Sequence, residues 1–101
     1  MYPRPSYNPG MKASLLLPGA DLIRRGLEDL SGGRVSLESL LVSIGAHRLR
    51  RAGLDVPAAI PEADHRLYRL LANEFGNDAH SRYNGLLRRL VSYEQALECV
   101  S

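Results

Sequence analysis

The chain reads as an all-α protein, a compact antiparallel bundle of four helices. Three observations predict this. Leu supplies much of the apolar content while β-branched residues are few, a balance that favours helices over strands. Four stretches repeat their apolar residues at the helical period. Gly and Pro fall between those stretches, where they stop one helix and start the next. At 101 residues there is room for one core, so residues 14–101 are expected to form a single domain.

Residues 1–13 come first as an arm. Pro3, Pro5 and Pro9 exclude a helix there, and Asn8 and Gly10 add turn character. With Tyr2, Arg4 and Tyr7 the arm has the composition of an extended segment for a partner's groove, although a loose terminus explains it as well.

The first helix is predicted from about Gly19 to Ser31. Leu22, Ile23, Gly26, Leu27 and Leu30 share one face. Arg24 and Arg25 are placed to pair with Glu28 and Asp29 four residues on. Gly32 and Gly33 stop the helix by accepting a left-handed backbone. The second is predicted from about Leu37 to Ala52, with Ser36 as its N-cap. Leu37, Leu40, Leu41, Ile44 and Leu49 form its stripe, and Gly53 closes it. Gly45 lies in its interior, where glycine is unfavourable; close approach of another helix would compensate.

Residues 54–61 connect this helix to the third. Pro57 and Pro61 bar a helix through them, and Leu54, Val56 and Ile60 are expected to plug the core from the loop. The third helix starts at Pro61 or Glu62 and runs to Phe75, burying Ala63, Leu67, Leu70, Leu71 and Phe75. Gly76, Asn77 and Asp78 cap it. The fourth begins near Ala79, with Tyr83, Leu86, Leu87, Leu90 and Val91 in register. The spacing through Leu97 predicts one helix to about Cys99. The pair Ser92 and Gln95 also spells a capping box, so five helices with a break near Ser92 are the alternative.

Charge and motifs exclude several functions. Twelve of the 13 cationic residues are Arg, and the formal net charge is only +2. Codon usage accounts for the skew toward Arg as readily as phosphate or carboxylate recognition does, and the near-neutral total argues against bulk nucleic-acid binding. No apolar run is long enough for a membrane helix. The first residues lack the apolar core of a secretion signal, so a cytoplasmic location without membrane attachment is expected. Cys99 is the one cysteine. Together with His47, His65 and His80 it forms no metal-ligand spacing, so neither a metal nor a cofactor is expected. No nucleophile elbow or phosphate loop is present.

Two constellations remain. His80, Asn84 and Arg88 recur every four residues on one helix face, and His65 and Arg69 do the same on the preceding helix. If those helices lie antiparallel, the two stripes border one groove suited to an anionic group. A solvated polar face explains the same pattern. The second constellation is arginine on two helices: Arg48, Arg50 and Arg51, then Arg82, Arg88 and Arg89. Together they would give a local nucleic-acid footprint.

The leading expectation is a non-catalytic protein–protein interaction or regulatory module. Its partner would be another protein or a second copy of the chain, since small bundles gain stability by pairing. A nucleic-acid-binding protein using the Arg clusters is the first alternative. A small hydrolase or nuclease using His65, His80, Asn84 and Arg88 is the second.

Overall fold

The computed structural model describes residues 19–100; the arm predicted at 1–13 lies outside them. The described residues form an all-α compact globule of four helices. These are α1 (Ala20–Ser31), a second helix in two segments, α2 (Leu37–Ile44) and α3 (Ala46–Arg51), then α4 (Ala63–Phe75) and α5 (Ala79–Val100). A short 3-10 turn, Gly76–Asp78, joins α4 to α5.

The centre of the fold is α2, which packs against α1, α4 and α5. Its sequence explains that position, because it is apolar nearly all round. Leu40, Leu41 and Val42 are buried, and so are two serines, Ser39 and Ser43. Both serines are satisfied locally, as buried hydroxyls require. Ser39 Oγ accepts from the Ser36 amide at 2.7 Å. Ser43 Oγ donates to the Ser39 carbonyl at 2.8 Å and accepts from the Ile60 amide at 3.0 Å. The second bond fastens the 54–61 connection to the central helix. Arg50 fastens it again, donating to the Val56 carbonyl at 3.1 Å and the Pro57 carbonyl at 2.8 Å.

The start of α2 is a double cap. Ser36 Oγ accepts from the Ser39 amide at 3.0 Å and donates to Asp29 of α1 at 2.6 Å. Asp29 therefore serves Ser36 and Arg34 (3.0 Å) rather than the predicted Arg25. Arg24 pairs as predicted with Glu28, at 3.5 Å.

Several local expectations are corrected. The predicted continuous second helix breaks at Gly45. A Cβ there would lie 2.5 Å from Glu94 Oε2 and 2.8 Å from Leu90 Cδ1. Close approach of α5 is therefore what Gly45 permits. Past Gly32 the left-handed residue is Gly33, at φ 74°. Helix α4 begins at Ala63 and not at Pro61 or Glu62, because Glu62 itself takes a left-handed backbone at φ 54°. Phe75, predicted to be buried, is exposed, and so is Val91, which continues the apolar period of α5. Phe75 is the last residue of its helix, and its ring lies beneath the Arg82 guanidinium. Helix α5 runs unbroken past Ser92 to Val100. Its C-terminal half buries Leu90, Tyr93, Glu94 and Leu97, and that packing outweighs any tendency of Ser92 to start a new helix.

Candidate functional site

An open groove of about 480 Å³ runs along α4, closed on one side by Tyr83 of α5. Helical spacing brings its α4 residues together: Asp64, Tyr68 and Ala72 recur every four residues, and His65 and Arg69 stand beside them. All five lie on the exposed side of a helix whose buried side is Ala63, Leu67 and Leu71.

Tyr68 organises the site. Its ring meets Tyr83 edge-on, with centroids 5.3 Å apart and planes at 68°. It also meets His80 edge-on, at 6.4 Å and 63°. Aromatic pairs favour this arrangement because the electropositive edge of one ring faces the electronegative face of the other. His80 is steadied in turn by Asn84, whose amide nitrogen lies 3.2 Å from its Nε2. Burial, and then the negative charge of Asp64, push the Tyr83 hydroxyl above its ordinary range. Tyr83 thus offers a protonated hydroxyl and no phenolate.

The structure divides the predicted anion site. His65 and Arg69 line the Tyr68 groove. His80 joins it through Tyr68. Asn84 contacts His80, but Asn84 and Arg88 line a different depression with Leu87, Val91 and Ser92.

The arginines are also dispersed. Arg48 pairs with Glu94 at 3.7 Å, and with Arg51 it borders a groove containing Gln95 and Glu98. Arg50 holds the 54–61 connection. Arg82 lies over the Phe75 ring, its guanidinium carbon 3.9 Å from the centroid. Arg82 and Arg89 border another, more apolar groove.

Two important residues carry no signal in a hydropathy reading. Tyr68 sits among polar neighbours on the outer face of α4; a large ring at that position, one turn from His65, is the clue available. Glu94 belongs to an acidic C-terminal stretch yet is 4% exposed. Burial raises its carboxyl above the ordinary range, with Arg48 opposing and Glu98 adding to the shift.

Among the described residues, no group of three or more His, Cys, Asp or Glu is arranged to hold a metal ion. No helix there is long and apolar enough to cross a membrane. Comparison of the chain with known protein families, with curated proteins and with solved structures returns no match.

Proposed function

We propose that this protein is a non-catalytic interaction module that recognises a partner protein through the α4–α5 groove around Tyr68. One observation carries the reading: Tyr68 is 39% exposed although two rings hold it in place. A large amphipathic side chain that is ordered before binding loses little entropy on contact. Tyr and Arg are the residues on which binding energy concentrates at protein interfaces, and Arg69 stands at the groove's edge. His80 is held by the Asn84 amide, which fixes its ring beside Tyr68. A second copy of the chain is one admissible partner.

The test is site-specific photo-crosslinking in the cells that make the protein. A photoreactive residue at Ala72, inside the groove, is expected to give one dominant protein adduct. The same residue at Arg25, on the exposed face of α1, is expected to give none. Equal adducts at both positions, or adducts with nucleic acid only, would overturn the proposal.

A further inference from the structure

We infer that a second groove, where α5 passes the end of α4 and the start of α2, binds an acidic amphipathic segment of a partner protein. The inference does not depend on the Tyr68 site. Leu71 forms the base, and Leu37, Leu86 and Phe75 complete an apolar floor. Phe75 is 36% exposed there, its ring held under Arg82.

Gly85 is the first clue. It stands inside a 22-residue helix, where glycine weakens the structure. Gly26 within α1 and Gly45 between α2 and α3 have an internal reason: a Cβ on either would collide with neighbouring atoms. A Cβ on Gly85 would meet nothing within 4 Å. The packing of the described residues does not call for glycine, yet Gly85 lines the groove. Its missing side chain leaves space for the backbone of an incoming segment.

The second clue is charge. Arg82 and Arg89 both border the groove and stand seven residues apart, which is about 10 Å along a helix. Among the described residues no carboxylate pairs with either. An apolar floor with two cations at that spacing complements a segment that presents apolar anchors and carboxylates about two helical turns apart. An aliphatic floor gives the bases of a nucleic acid no aromatic stacking surface beyond Phe75, which Arg82 already covers.

A fluorescein-labelled peptide tests the proposal on the full chain. It carries leucines on one helical face and glutamates seven residues apart; a control peptide carries lysines in place of the glutamates. The glutamate peptide is expected to bind at least tenfold more tightly than the lysine peptide, with amide shifts centred on Phe75, Gly85 and Leu86. Gly85→Leu, which fills the groove without opposing the helix, is expected to weaken binding at least tenfold. The double variant Arg82→Glu, Arg89→Glu is expected to reverse the peptide preference. The proposal is overturned if the glutamate peptide fails to bind, if both peptides bind alike, or if Gly85→Leu has no effect. It is equally overturned if a uridine oligonucleotide displaces the peptide, or if the chain forms a dimer that Gly85→Leu dissociates.

Discussion

Tyr68 and Tyr83 meet edge-to-face across the α4–α5 contact, ring centroids 5.3 Å apart, and the two rings have different surroundings. Tyr83 is half-buried, while the outer face of Tyr68 meets solvent. Truncating Tyr68 therefore removes mainly the ring pair. Tyr68→Ala is expected to lower unfolding free energy by about 1 kcal/mol and leave helical circular dichroism unchanged. Tyr83→Ala, which also empties packed space, should cost more. Urea denaturation of both variants measures the order.

Glycines divide by what surrounds them. A Cβ on Gly26 would lie 2.3 Å from Val42 Cγ2 and 2.4 Å from the Glu38 carbonyl oxygen. The second of these is backbone and cannot turn aside, so α1 and α2 would have to separate. Gly26→Ala is expected to cost about 3 kcal/mol. Gly85→Ala, with open space around it, is expected to gain about 1 kcal/mol. Opposite shifts in melting temperature would establish the contrast; shifts of the same sign would refute it.

Glu94 and Asp29 give stability opposite pH dependences. Burial raises the Glu94 carboxyl in the folded state, so the folded chain binds its proton more tightly than the unfolded chain does. Its contribution is fully present below the unfolded value and is lost as pH rises through the folded one. Glu94→Gln should therefore stabilise the protein at neutral pH, and the gain should disappear in acid. Bonds from Ser36 and then Arg34 hold the Asp29 carboxyl below its ordinary value. Its contribution is present above the unfolded value and is lost as pH falls through the folded one. Denaturation midpoints across acid to neutral pH, measured for Glu94→Gln and for Asp29→Asn, separate the two slopes.

Arg50 holds the proline-bounded connection through two backbone carbonyls. Arg50→Ala is expected to cost about 1.5–3 kcal/mol, the range for hydrogen bonds involving a charged group. Faster amide exchange at Ile60, the other tie of this segment, would accompany the loss. An unchanged exchange rate would mean that Ser43 suffices to hold the segment alone.

These residues also show where sequence reading succeeds and where it stops. Helix spans were legible because Leu67 and Leu71, or Ile23 and Leu30, recur at the helical period, and because Ser36 and the flanking glycines mark ends. The break at Gly45 was only half legible. Glycine announced close approach, but the approaching atoms belong to Glu94 and Leu90, half the chain away. Arg50 looked like one of three equivalent surface cations, since nothing in local spacing reveals that a later loop folds back onto it. His65 with Arg69, and His80 with Asn84 and Arg88, were legible as two stripes at helical spacing. Tyr68, which joins them, was not, because an aromatic residue on a polar face breaks the periodic pattern on which such reading depends.

The most direct test of the central claim is a titration of the partner identified by crosslinking against the wild-type chain and Tyr68→Ala, with Arg25→Ala as a surface control. The account predicts at least a tenfold loss of affinity for Tyr68→Ala, which is about 1.4 kcal/mol, and no change for Arg25→Ala. Equal affinities for the wild type and Tyr68→Ala, both folded, would contradict it.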